Sequence, residues 1–196
     1  MGQAFDGRNV IIENRWAEGR NDRLPALAAE LVRLPVNVIV CAGSIPAAIA
    51  AKAASTTVPI VFYGGADSVS IGLVARLSRP GGNITGVTAL NVEVGAKRLE
   101  LLHELVPTAT VIADLVNPTN PVNAETETRD LEAAARTLGL RLHVLHASSE
   151  QEIDTAFMTL GQLRADALVI GTDALFNSRS EQLAVLTLRH ACARCA

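Results

Sequence analysis

Four short polar stretches carry the side chains best suited to chemistry: Ser44; Asp67 with Ser68; Asn117, Thr119 and Asn120; and Thr172, Asp173 and Asn177. Each follows an apolar run with the look of a buried strand. In open α/β sheets, ligands bind beyond the carboxyl ends of the strands, where helix N-termini present free N–H groups. Those groups suit a carboxylate, while Asp67 or Asp173 could take an amine. Ser44, Asn120 and Asn177 also fit ordinary helix caps, and capping accounts for each taken singly. The functional case rests on four loops sharing one kind of polarity.

Enzyme motifs are mostly absent. No Gly-x-Gly-x-x-Gly follows a strand, and no glycine loop ends in Gly-Lys-Ser/Thr to cradle a phosphate. His103-Glu104 lacks the second histidine of a zinc helix, and no serine sits in a nucleophile elbow. His143 and His146, three apart in a strand, face opposite sides and are poorly placed to share a metal. Cys41 closes a strand beside a polar loop, where a reactive thiol or a plain buried cysteine would both fit. Cys192-Ala193-Arg194-Cys195 has redox or metal spacing, but as one isolated pair at the chain's end it reads as a tail.

The elements that must position these loops alternate. At 196 residues and 49% hydrophobic content, the chain has material for one large α/β domain or two small lobes. Expected strands are Val10–Trp16, Val36–Cys41, Val58–Tyr63, a short run behind Ile84, Thr110–Val116, Leu140–His146 and Ala165–Ile170. Expected helices follow Asn21-Asp22, Ser44-Pro46 and Asn120-Pro121, and run over Val69–Leu77, Glu93–Val106 and Asn177–His190. On the Glu93–Val106 helix, Val94, Leu101, Leu102 and Leu105 form the apolar side. Ser149-Glu150-Gln151-Glu152 fits a capping box for one more helix, and Gly139 stops the helix before it. Strands alternating with helices imply parallel sheets with right-handed crossovers. Val38–Ser44 and Ala167–Thr172 echo each other faintly, as two lobes on one plan would.

Between the two βα runs lies Arg79-Pro80-Gly81-Gly82-Asn83-Ile84-Thr85-Gly86-Val87-Thr88. Pro followed by two Gly forces a turn. The residues alone fit a turn inside one domain or a hinge between lobes; the position between two runs favours the hinge. Aromatics at 3% and a net charge of −3 without a basic cluster argue against a nucleic-acid partner. Met1–Asp6 has neither the basic start nor the apolar stretch of a signal peptide. Leu34–Ala51 is too interrupted by Pro, Gly and polar residues to read as a membrane span.

In combination, several segments resemble the ABC transporter substrate-binding protein family. They are Asn9–Ala17 with Gly19, Asp22–Val32, Pro46-Ala47-Ala48, Val58–Phe62, Leu77–Thr88, Gly95–Leu102, Val116-Asn117-Pro118 and Phe176–Arg179. The resemblance implies a two-lobed α/β flytrap with Rossmann-like lobes and parallel sheets, related to the periplasmic-binding-protein type I fold. It implies lobes over residues 1–86 and 87–196, with lobe one lacking its first strand and its returning segment. By position, Ser44, Asp67, Ser68, Asn117, Asn120 and Asp173 would line the cleft. The implied function is binding of a small amino-acid-like solute outside the cytoplasmic membrane, in the periplasm, and its delivery to an ABC permease. No catalysis, metal or cofactor is implied. A cofactor-independent racemase using Cys41, and the ligand-sensing domain of a regulator, are the alternatives. Without those two segments lobe one would expose a strand edge, which predicts weak stability, oligomerisation, or a fragment whose binding site is incomplete.

Overall fold

The structure, a computed structural model, describes residue 7 and residues 9–92 and 94–191. Expectations that fell on Met1–Asp6, on Glu93 and on Cys192–Cys195 lie outside the described residues. A 3-10 turn at Asn21–Arg23 leads into α1 (Leu24–Arg33), then β1 (Ile39–Ala42), α2 (Ile45–Ala54), β2 (Ile60–Gly64) and β3 (Ile84–Thr88). The second half holds α3 (Gly95–Leu105), β4 (Val111–Val116), α4 (Pro121–Leu138), β5 (Arg141–His146), α5 (Glu150–Leu163), β6 (Ala167–Ile170), α6 (Ala174–Ser178) and α7 (Ser180–Ala191). The strands form two parallel three-stranded sheets, in the orders β1-β2-β3 and β5-β4-β6. The fold is the expected α/β arrangement in two lobes.

The two sheets are wound differently. In the first, each connection moves the chain the same way along the sheet, so right-handed crossovers stack everything on one face. There α1 packs on α2, and Ile39, Cys41, Ile60, Phe62, Leu73 and Ile84 form one core cluster. In the second, α4 carries the chain from β4 out to β5, and α5 carries it back across to β6. Helices then cover both faces: α5 and α7 bury Leu115, Ile153 and Phe157, while α3 and α4 bury Leu99, Ile112 and Leu131. All six residues of β4 are buried, as a central strand of a doubly covered parallel sheet requires.

Local structure departs from the sequence expectations in five places. Val10–Trp16 joins neither sheet, and Ile11 and Trp16 are 86% and 73% exposed; strand-like composition needs a neighbouring strand to become one. Val69–Leu77 is a series of turns instead of a helix. The Asp67 carboxylate takes the Val69 N–H at 2.9 Å, the Ser70 hydroxyl bonds to Asp67 O, and Gly72 sits at φ 70°, outside helical space. On α3 the buried residues are Gly95 and Leu99, with Val94, Leu101 and Leu105 exposed, because the inner face follows Arg98 toward α4. Asn177 does not begin a helix but lies inside α6, which Asp173 caps. The capping box is shifted by one residue: Ser149 Oγ accepts from Glu152 N, but the Glu152 carboxylate accepts from Ser148 N and Oγ.

Arg79–Thr88 is also reassigned. Gly81 and Gly82, at φ 75° and 68°, make the tight turn into β3, and β3 pairs with β2 through Gly64↔Thr88. The glycine pair is therefore a turn within the first lobe. The chain passes between sheets after Ala89, whose N–H still bonds to Gly64 O, and before α3 begins at Gly95. Leu90 in this passage has φ 52°, a left-handed conformation that a leucine adopts only under constraint.

Candidate functional site

The ends of β4 and β6 bring three of the expected site residues together. Asn117, Asn120 and Asp173 are 3%, 3% and 7% exposed. Asn117 Nδ2 donates to Asp173 Oδ1 at 2.9 Å and Asn120 Nδ2 to Asp173 Oδ2 at 2.8 Å. Asp173 Oδ1 also accepts the Leu175 N–H, capping α6. Asn117 Oδ1 accepts from Thr119 N and Thr119 Oγ1 in turn. Asn120 occupies the N-cap position of α4 as expected, with Pro121 next, but its side chain makes no cap bond and turns to Asp173 instead. A buried carboxylate gains more from an amide donor than a helix end does, since an unpaired buried charge is far costlier. Because a carboxylate can only accept, Nδ2 of Asn120 must face Asp173. Its Oδ1 is thereby fixed as a buried acceptor without a partner.

Beneath this cluster lies a second one that the sequence expectations missed. Glu127 is 1% exposed; its Oε1 accepts from Arg98 at 2.7 Å and its Oε2 from Thr172 N at 2.9 Å. Arg98 also donates to Ile170 O, and Asn123 Nδ2 to Thr172 O. The segment from Ile170 to Asp173 is thus held by side chains from α3 and α4. Asp114, inside β4 and fully buried, has Thr128 Oγ1 at 3.5 Å from Oδ2 and no partner for Oδ1. Burial, and then the nearby Glu127 charge, push the Asp114 carboxyl up to about 7. Burial raises Glu127 as well, against the bonds from Thr172 and Arg98. The signal for these residues was present: Asn123 and Glu127 fall in phase with buried Leu131 and Ala135 on α4.

In the first lobe the expected residues stand apart from one another. Ser44 caps α2, its Oγ accepting the Ala47 N–H at 3.2 Å. Asp67 closes the turn described above, and Ser68 is 1% exposed, with its Oγ accepting from Thr88 Oγ1 at 3.0 Å. The lobes meet where these loops face the second sheet. A methyl group at Gly65 would lie 3.0 Å from Thr172 Cγ2, and Asn21 Nδ2 donates to Thr119 O and Oγ1. A separate groove of about 830 Å³ runs between α3 and α7, past Asn91, Arg98, Thr172 and Phe176. None of the six expected residues lines it. Cys41 is buried, and burial pushes its thiol up to about 11, which disfavours the thiolate a racemase would need.

Both parallel sheets present polar loops at the carboxyl ends of their strands, where open α/β sheets bind ligands. Solved structures share this fold. A conserved domain protein of Vibrio cholerae O1 biovar El Tor superposes with TM-score 0.77 at 25% identity, over 94% of this chain and 61% of that one. A Streptococcus pneumoniae ABC domain, solved in complex with L-Trp, gives 0.72 at 23% identity, over 89% and 59%. A tyrosine-binding protein of Clostridioides difficile (strain R20291) is 31% identical over 175 residues, 88% of this chain. The chain spans about half the length of that relative, 49%. Residues 4–190 match the family described as ABC transporter substrate binding protein, and the chain belongs to that family.

Proposed function

We propose that this chain is the solute-binding component of an ABC importer, acting outside the cytoplasmic membrane. It takes a small amino-acid-like solute between its lobes and presents it to a membrane permease. An aromatic amino acid is the first choice, supported by the relative named as tyrosine-binding. The observation that carries the reading is the acceptor set around Asp173. Beside the buried Asp173 carboxylate, whose two oxygens already accept from Asn117, Asn120 and the Leu175 N–H, lies the unpartnered acceptor Asn120 Oδ1, and an ammonium group is a donor that suits both. We assign the ligand's amine to Asp173, oriented by Asn117 and Asn120. Its carboxylate goes to the first lobe, where Ser44, Asp67 and Ser68 sit at the strand ends and helix or turn N–H groups are present. A ligand touching both lobes favours the closed arrangement by its differential affinity, so closure is a population shift. Among the described residues no helix is long and apolar enough to cross a membrane.

Calorimetric titration with L-tyrosine tests this directly. Binding is expected for L-tyrosine and not for its deaminated analogue 3-(4-hydroxyphenyl)propionate. Asp173→Asn should weaken binding by about 10- to 100-fold, the range for losing a hydrogen bond to a charged group. Equal binding of the two compounds, or an unaffected Asp173→Asn protein that remains folded, rules out the assignment.

A further inference from the structure

Between the end of β6 and Asp173 the backbone is gripped at four polar groups. Arg98 Nη2 donates to Ile170 O at 2.6 Å, and Gly171 N donates to Leu115 O of β4 at 2.8 Å. Glu127 Oε2 accepts the Thr172 N–H at 2.9 Å, and Asn123 Nδ2 donates to Thr172 O at 2.7 Å. A methyl group on Gly171 would crowd Leu115 O at 2.9 Å and Glu127 Oε2 at 3.1 Å, so a side chain there would push against the carboxylate that holds Thr172. Both partners of Glu127 are donors, Arg98 Nη1 at 2.7 Å being the other. A carboxylate accepts through both oxygens, whereas a glutamine offers one acceptor and would set its NH2 group against the second donor. Burial raises Glu127 despite these bonds, so the ionised side chain is costly where it stands, and a buried ion pair adds little net stability. What the carboxylate supplies is a fixed place for the residue before Asp173.

We propose that Glu127 is the positioning residue of the solute site: it fixes Thr172, and through it the Asp173 carboxylate that receives the ligand's ammonium group. The inference rests on the assignment of that amine to Asp173. Glu127 is 1% exposed and lies beneath the loop, so it acts through Asp173 and does not touch the ligand. Asp173 follows Thr172 directly. A peptide that turns at Thr172 therefore carries the carboxylate off Asn117 and Asn120, whose Nδ2 atoms hold it at 2.9 and 2.8 Å. Hydrogen bonds weaken steeply with such misalignment, and a binding constellation must be held to within about 0.5 Å. Thr172 also faces the first lobe, its Cγ2 lying 3.0 Å from where a methyl group on Gly65 would stand. One braced peptide thus sets both the amine site and the point at which the lobes approach. Arg98 and Asn123 complete the brace by holding the carbonyls on either side of it.

Calorimetry with L-tyrosine, urea unfolding and amide NMR of the purified chain test this together. Glu127→Gln should raise the dissociation constant about tenfold, the scale for a lost hydrogen bond to a charged group. In the Asp173→Asn background the same change should add less than about twofold, because both act on one contact. Without ligand, Glu127→Gln should move the Thr172 amide proton upfield and shift the side-chain amide signals of Asn117 and Asn120. Leu131→Val, one turn further along α4 and fully buried, loosens the core without touching the brace. It should lower the urea midpoint and leave affinity and those signals unchanged. Should Glu127→Gln not fold, Asn123→Ala removes the hold on Thr172 O and should give the same pattern. Additive effects of Glu127→Gln and Asp173→Asn, unmoved Asn117 and Asn120 signals, or an equal loss of affinity in Leu131→Val would each overturn the proposal. A parent chain that binds no L-tyrosine would instead end the amine assignment, and the Asn117 and Asn120 signals alone would then decide whether Glu127 positions Asp173.

Discussion

The two lobes use the same unit, a parallel strand entering a polar loop and a helix, yet they solve burial differently. In the second lobe the chain reverses direction at β5, α4 and α5 fall on opposite faces, and β4 is buried throughout. In the first it never reverses, and β1 and β2 alternate buried and exposed residues along their length. Topology, more than composition, sets the difference: Val40 and Val61 are as apolar as Val111 and Val169. The second lobe can therefore bury polar groups at its sheet end, because helices on both sides supply partners such as Arg98 and Thr128. Buried Asn117, Asn120, Asn123, Glu127, Asp114 and Asp173 all belong to it, whereas the first lobe buries only Ser55 and Ser68 among its described polar residues.

The largest effect should come from cutting into the doubly covered core. Phe157→Ala, at a residue 2% exposed, should cost about 3–5 kcal/mol in urea unfolding. Val87→Ala, at an exposed position on β3, should cost no more than about 0.5 kcal/mol. A cost above that at Val87 would mean that its side chain is packed, and the contrast between lobes would fall.

Next in size is a pH effect confined to the second lobe. Asp114 is raised to about 7 from an ordinary 3.8, so the folded state holds its proton more tightly than the unfolded chain does. Its stabilising contribution is complete below pH 3.8 and is lost as pH rises through about 7. Glu127, raised too, acts in the same direction, and Arg98 is the cation facing both. Asp114→Asn should therefore raise stability at pH 8 by up to about 4 kcal/mol, at 1.36 kcal/mol per unit, and flatten the profile between pH 5 and 8. Equal stability of parent and variant at pH 8 would show that the carboxylate finds compensation when ionised.

Much of this architecture was legible in the residues. Thr110–Val116, Leu140–His146 and Ala165–Ile170 foretold three strands to within two residues, since buried parallel strands are short continuous apolar runs. Asn120-Pro121 and Gly139 marked both ends of α4 for the same kind of reason. What failed was whatever depended on a partner distant in sequence. Val10–Trp16 has a strand's composition but joins no sheet, and composition carries no information about an available edge. Pro80-Gly81-Gly82 announced a turn, and nothing local could say whether the turn lay within a lobe or between two. At the site, the polar loops were visible one by one. That Asn117 and Asn120 converge on Asp173, 56 and 53 residues away, follows only from β4 and β6 lying side by side.

The smallest effect asks whether the lobes are separate at all. Ser44 and Ser149 play one role, each accepting a backbone N–H as N-cap, for α2 in the first lobe and α5 in the second. Ser44→Ala and Ser149→Ala should each cost about 1 kcal/mol. Trp16, the sole tryptophan, and Tyr63, the sole tyrosine, both lie in the first half, whereas far-ultraviolet circular dichroism reads helices of both lobes. The lobes are joined by the passage after Ala89, by Val122 of α4 packed against the first lobe's core, and by polar contacts such as Asn21 with Thr119, and we expect these to couple the two cores only in part. Fluorescence and circular dichroism should accordingly give different urea midpoints. Ser44→Ala should lower the fluorescence midpoint and leave the later phase of the dichroism in place, and Ser149→Ala should do the reverse. Coincident transitions that both substitutions shift alike would make the chain one cooperative unit, with the first lobe stabilised through the second.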